Sequence, residues 1–131
     1  MAGYSGTPLA NKLGIKHGFR VRIINQPKHY WKLFSDLPEV EETSRGSANF
    51  VHFFCTERKL LSKQLPKLMK QITRDGMIWV SWPKKSSGTK TDITEDVIRE
   101  VCLPLGLVDV KVCAIDETWS GLKLVIRKEL R

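Results

Sequence analysis

Cysteine, acidic residues and long apolar runs are all in short supply in this sequence. Three cysteines stand in 131 residues, Cys55, Cys102 and Cys113. An odd number without CxxC spacing argues against a disulfide framework and a structural zinc site, and suits small hydrophobes in a reducing compartment. No apolar run approaches the ~20 residues of a membrane span, and no basic segment leading into an apolar one opens the chain. The expectation is a cytoplasmic protein that does not enter a membrane. Asp and Glu number 14 against 22 Lys and Arg, a formal charge of +8 with a pI near 9.6. That deficit of acid favours anionic partners such as nucleic acid, nucleotides or a membrane surface, although charge governs encounter and solubility rather than fold. No internal repeat or low-complexity tract is present.

What is present is ordinary for a folded chain. With 41% hydrophobic and 27% charged residues it is not disordered, and its length suits one buried core, hence a single domain over residues 1–131 with 1–6 mobile unless Tyr4 docks. Thr7 reads as an N-cap, Pro8 as the first helical residue and Gly14 as the stop of a short helix. Phe19 to Ile24 reads as a strand ended by Asn25, Gln26 and Pro27, and Lys28 to Asp36 as a helix with Trp31 and Phe34 on one face. Pro38 to Glu42 holds a short second strand, and Phe50 to Phe54 a buried one. From Glu57 to Arg74, Leu60, Leu61, Leu65, Leu68, Met69 and Ile72 share a helical face opposite Lys59, Lys63, Lys67 and Lys70. Pro66 predicts a kink or restart inside this helix, and Asp75 and Gly76 its end.

Met77 to Ser81 follows as an apolar strand, in which alternation puts Met77, Trp79 and Ser81 on one face and Ile78, Val80 and Trp82 on the other. Asp92 with Glu95 has capping-box spacing, predicting a helix over Ile93 to Val101 stopped by Pro104 and Gly106. Leu107 to Ile115 and Gly121 to Arg127 complete an antiparallel hairpin.

Strands alternating with helices predict an α/β fold: a three-layer, Rossmann-like mixed sheet, mostly parallel, with a C-terminal antiparallel hairpin. The run from the Phe50 strand through the long helix, DGMIWVSWP, the next helix and the hairpin resembles a truncated class I S-adenosylmethionine-dependent methyltransferase fold. The stretches GYSGTPLANKLGI, VSWPKK and LVDVKVCAIDETWSGLKLVIRK, spread over the whole chain, are similar to a family of small bacterial proteins of unknown function. The methyltransferase resemblance implies a glycine-rich turn after the first strand and a carboxylate at the end of the second to hold the cofactor. Here the first turn is Ile24-Asn25-Gln26-Pro27-Lys28, without a glycine, and Glu39, Glu41 and Glu42 are the available carboxylates.

In open parallel sheets ligands lie at the carboxyl ends of strands, which puts Asn25, Gln26, Cys55, Thr56, Trp82 to Lys85 and Asp116 on one rim. The segment Trp82-Pro-Lys-Lys-Ser-Ser-Gly-Thr offers two cations and three hydroxyls just before a helix. Lys84 and Lys85 supply charge, Ser86, Ser87 and Thr89 hydrogen bonds, and Trp82 one wall, so an anion fits it, although the spacing is not that of a phosphate-binding loop. Trp82 stacks a base or packs beneath the loop. His52, among four apolar neighbours, reads as a buried, hydrogen-bonded imidazole. Cys55 is a nucleophile only if a base reaches it, and Asp116 and Glu117 read as solvated turn residues. No catalytic or metal site and no cofactor is expected, and the residues that would bind a cofactor are left open. The functional expectation is a non-catalytic domain that binds an anionic ligand or a partner. The alternatives are a small methyltransferase using S-adenosylmethionine with a non-standard cofactor turn, and a nucleic-acid or protein interaction module, including a homodimer through Trp119 and the hairpin edge.

Overall fold

A computed structural model describes residues 7–131, and the expectations for residues 1–6 lie outside it. Its centre is a six-stranded sheet of β1 (Arg20–Ile24), β2 (Glu41–Glu42), β3 (Ala48–Phe54), β4 (Ile72–Pro83), β5 (Leu107–Ala114) and β6 (Trp119–Ile126) in the order β2-β1-β3-β4-β6-β5. The first four run parallel to one another, and β6 is antiparallel to both of its neighbours, β4 and β5. This is the mostly parallel, Rossmann-like sheet with a terminal antiparallel hairpin that the alternation of elements predicts. The last strand is inserted between β4 and β5, where Gly121 makes room. A Cβ there would stand 2.9 Å from Ile115 Cδ1 and 3.0 Å from Trp79 Cε3.

Period-two alternation divides the core into two layers. Val51, Phe53, Ile78, Val80, Leu122 and Leu124 face α2 (Arg58–Met69) and α3 (Glu95–Cys102), which bury Leu61, Leu65, Leu68 and Ile98 against them. Phe50, Met77 and Trp79 face the other way, under α1 (Leu9–Leu13), Trp31 and Phe34. Gly14 ends α1 at φ +79°, the left-handed cap that glycine adopts without a side-chain penalty, and the carbonyl of Leu13 accepts the Trp79 indole N–H at 2.9 Å.

Several elements are shorter than the sequence suggests. In place of a helix over Lys28 to Asp36 there is one 3-10 turn, Tyr30–Leu33, because His29 takes a left-handed φ of +64° and the chain beyond is stretched to bring Leu37 and Val40 to the core. The second strand shrinks to two residues. The long helix ends at Met69 and runs through Pro66 without a restart; the carbonyl that loses its donor belongs to Ser62, an exposed residue. Asp75 and Gly76 lie inside β4, whose register jumps from Ala48↔Ile72 to Phe50↔Met77 and leaves residues 73–76 as a bulge. Asp92 does not cap α3. Its carboxylate accepts the Arg58 N–H of α2 at 2.7 Å, while the Thr94 hydroxyl caps α3 through Val97 N at 3.2 Å. Helix α1 likewise starts one residue later than expected, with Pro8 at its N-cap.

One buried cation stitches the short crossover between β2 and β3. Arg22, 7% exposed, donates to the carbonyls of Thr43 (2.9 Å) and Gly46 (2.8 Å) and to Gln71 Oε1 (2.8 Å). Three acceptors satisfy the guanidinium fork without a carboxylate.

Candidate functional site

From β1 the chain turns outward to β2 on one side and then returns to β3 on the other, so the topological switch point of the sheet lies between β1 and β3. Ligands of open α/β sheets enter at this crevice, at the carboxyl ends of the strands. Here the crevice is crossed by the chain itself. Asn25 takes a left-handed φ of +58° just after β1, and its Nδ2 donates to the Phe54 carbonyl at the end of β3, 3.2 Å away. Pro27, next in the turn, has no N–H to offer a phosphate or carboxylate. The turn then delivers Tyr30, 1% exposed, into an aromatic group in which its ring meets Trp31, Phe34 and Phe54 edge-on at 5.0 to 5.6 Å. Phe54 in turn meets Trp119 at 5.0 Å.

Behind this group runs a chain of buried hydrogen bonds. Tyr30 Oη stands 2.9 Å from His52 Nδ1, and His52 Nε2 stands 2.7 Å from Ser81 Oγ. His52 and Ser81 are fully buried. The neutral imidazole donates at one nitrogen and accepts at the other, which satisfies all three side chains at once. Burial pushes the His52 pKa down to about 3, and burial followed by the nearby Glu42 holds the Tyr30 phenol above its ordinary range. His52 is thus the hydrogen-bonded core histidine that its strand predicts. Its partners were illegible in the sequence, because residues 30, 52 and 81 meet only through the sheet register; the signal available was the imidazole itself, which has to find partners inside an apolar strand. Ser, His and Tyr in series suggest nucleophilic chemistry, but no substrate reaches a hydroxyl with no exposed surface. Cys55 is equally inert: it is 2% exposed, its Sγ donates to the Glu57 carbonyl at 3.2 Å, and burial pushes its pKa up.

The rim loop after β4 sits elsewhere, over the start of α3. A cleft of about 460 Å³ opens there, lined by Trp82, Pro83, Lys85, Thr91, Ile93 and the first turn of α3. Of the eight residues singled out from the sequence, Trp82 and Lys85 line this cleft. Trp82 is 8% exposed, so most of its indole packs beneath the loop. Lys84 is half-buried and tied down by its backbone, whose N–H reaches the Thr118 carbonyl at 2.8 Å. Ser87 closes the loop on itself, donating to the Lys84 carbonyl (2.7 Å) and accepting from Thr89 N (3.1 Å). Ser86, Thr89 and Gln26 are exposed. Asn25 and Gln26 lie beyond β3, about 10 Å from the loop at two strand spacings. On the far wall of the cleft Arg99 is held by Glu95 (2.9 Å) and Asp96 (3.0 Å), and from outside the lining by Asp109 (2.9 Å). In the hairpin turn, Asp116 Oδ1 accepts the N–H groups of Thr118 and Trp119, each at 2.8 Å, a structural use of that carboxylate.

The strand order, the crevice and the two covering layers define a methyltransferase-like variant of the Rossmann fold. Solved structures carry the same architecture. The ribosomal protein L11 methylase of Lactobacillus delbrueckii subsp. bulgaricus superposes with a TM-score of 0.60 at 9% identity, over 91% of this chain and 75% of its own. The magnesium protoporphyrin IX methyltransferase of Synechocystis PCC 6803 with bound S-adenosylmethionine gives 0.57 at 9%, over 92% and 74%. A methyltransferase of Pyrococcus furiosus gives 0.58 at 11%, over 88% and 78%. At such identities the likeness is one of fold. No family model and no curated protein matches the chain. Among the described residues no helix is long and apolar enough to cross a membrane.

The residues at the crevice depart from the cofactor turn that the methyltransferase resemblance implies. The turn after β1 has no glycine, and Asn25, exposed within it, is tied across to Phe54, with Tyr30 buried a few residues on. The acids of β2 are at the wrong level: Glu42 pairs with Val21, three residues and about 10 Å short of the rim at Ile24.

Proposed function

We propose that this chain acts by binding and not by methyl transfer, as a methyltransferase-like domain whose cofactor crevice is taken up by its own side chains. The observation that carries the reading is the Asn25 to Phe54 hydrogen bond across the switch point, backed by the buried Tyr30. A ligand that binds only the native state raises stability by mass action, about 2.7 kcal/mol at a hundredfold excess over its Kd. Thermal unfolding with millimolar S-adenosylmethionine or S-adenosylhomocysteine therefore leaves the melting temperature unchanged. A saturable rise makes the chain a small methyltransferase with a non-standard cofactor turn instead.

The bound species, in this reading, is anionic and meets the outer side of the rim loop. Lys84 and Lys85 form no ion pair among the described residues, and Lys90 is exposed beside them. Arg99 in the cleft is already engaged by Glu95 and Asp96, and the docking place in this reading is the solvent side of the loop, where Ser86 and Thr89 are exposed. The double substitution Lys84→Glu, Lys85→Glu removes binding to single-stranded nucleic acid or nucleotides at low salt and leaves the melting temperature nearly unaltered. Retained affinity in the folded double variant eliminates this loop.

A further inference from the structure

On the face of the sheet covered by α1, the β5–β6 hairpin sets two lysines against each other. Lys111 is directly opposite Lys123 in the register, and Lys123 is opposite Trp79, whose ring packs under α1. Directly opposed residues of an antiparallel pair project to the same side, where like charges repel. The Lys123 ammonium reaches the end of α1, 3.9 Å from where a Cβ on Gly14 would stand. Lys123 is half-buried, and its pKa is lowered by burial first, then by Lys111 and Lys16.

Among the described residues no carboxylate forms an ion pair with these lysines. The ion pairs among the described residues join Arg20 to Glu41, Arg58 to Glu100 and Arg99 to its three acids, and residues 1–6, MAGYSG, contain no Asp or Glu. Lys111 has a structural partner, since its Nζ donates to the Lys12 carbonyl at the end of α1 at 3.0 Å. That bond accounts for one of the three ammoniums. Lys16 and Lys123 have no such account, and a half-desolvated lysine facing another lysine lowers stability. Local violations of this kind concentrate where a site needs them.

We propose that Lys16, Lys111 and Lys123 form a binding site for the terminal phosphoryl group of a small molecule. A phosphoryl group carries close to two negative charges at neutral pH and three acceptor oxygens, which suits point-charge donors gathered at the end of α1: Lys123 beside Gly14, Lys111 on the Lys12 carbonyl, and Lys16 two residues beyond Gly14 in the chain. Lys16 and Lys111 are exposed and Lys123 lies deeper, so a group must enter end-on to meet all three. The end of a phosphorylated metabolite enters in that way; a phosphodiester backbone, lying along the surface, reaches the outer two. The site is independent of the rim loop, four residues and about 13 Å along β6 from Trp119, which pairs with Pro83.

The test is thermal unfolding of the full chain in a low-salt, phosphate-free buffer, titrated with inorganic pyrophosphate, with sodium chloride at matched ionic strength as the reference. Pyrophosphate raises the melting temperature saturably and beyond the sodium chloride reference. Lys123→Met melts no lower than the parent without ligand, since repulsion is relieved, and binds pyrophosphate at least about tenfold more weakly. Lys16→Gln, which changes an exposed side chain only, keeps the parent's melting temperature and weakens binding about threefold to fivefold. An equal rise with sodium chloride overturns the proposal, as does unchanged pyrophosphate affinity in either variant or a lower melting temperature for Lys123→Met. A rise produced by a short single-stranded oligonucleotide and not by pyrophosphate also overturns it.

Discussion

The crevice between β1 and β3 and the lysine cluster beside α1 lie on the same face of one sheet, yet they treat polar groups in opposite ways. In the crevice, Tyr30, His52 and Ser81 are buried and each has its partner, and Asn25 spans the gap to Phe54. At the cluster, Lys111 faces Lys123 across the hairpin, one backbone carbonyl accepts from Lys111, and no acid among the described residues pairs with either. A buried polar group that is fully partnered stabilises one conformation of the chain, whereas an exposed or half-buried charge without a counter-ion lowers stability and leaves room for a ligand to supply the missing charge. The place that the fold would assign to a ligand is thus the better packed of the two.

The sharpest way to break this contrast is to remove the centre of the crevice. His52→Leu orphans the Tyr30 and Ser81 hydroxyls inside the core and lowers stability by about 3–5 kcal/mol, measured by urea unfolding. A loss below about 1 kcal/mol means that water reaches the crevice and that it is not sealed.

Acid probes the same residue with a smaller expected effect. In the unfolded chain His52 takes up its proton near pH 6.5, whereas in the native state burial holds its pKa near 3. Below pH 6.5 the unfolded state therefore binds a proton that the native state refuses. Stability is full above pH 6.5 and falls by about 1.4 kcal/mol per pH unit as the pH drops toward 3. Urea midpoints between pH 7 and 4 for the parent and for His52→Leu isolate this slope; parallel curves assign it to other groups.

The smallest effect belongs to Asn25→Gly. Glycine adopts the +58° φ freely and only the bond to Phe54 is lost, a cost of about 1 kcal/mol. Calorimetry of this variant with S-adenosylhomocysteine sharpens the comparison. With Tyr30 and Pro27 still in place no binding appears, and heat of binding shows that Asn25 alone shuts the crevice.

Much of the layered fold was legible in the residues. The apolar stretches Phe50 to Phe54 and Met77 to Ser81 could only be buried strands, and the leucine face of the long helix had to meet one of them. The two faces of β4 followed from alternation alone, with Trp79 under α1 and Trp82 under the rim loop. Helix ends were less legible. Asp92 has the spacing of a cap for its own helix, but it caps α2, because a carboxylate bonds whichever free N–H the fold brings within reach, and local spacing records only the near ones.

The candidate anion loop shows the same limit. Its cations and hydroxyls are adjacent in sequence, but Ser87 is spent within the turn, Trp82 is mostly core and Asn25 is two strands away. Periodicity and composition act over neighbouring residues, so the apolar strands, the buried helix faces and the excess of positive charge could be read directly, whereas the helix expected over Lys28 to Asp36 is a single 3-10 turn. Only the tertiary structure decided that Tyr30, His52 and Ser81 would form one hydrogen-bonded chain, that Asn25 would cross the crevice, and that Lys111 would face Lys123. Those contacts join segments 12 to 29 residues apart, and strand register, an outcome of packing the whole core, is what brings them together.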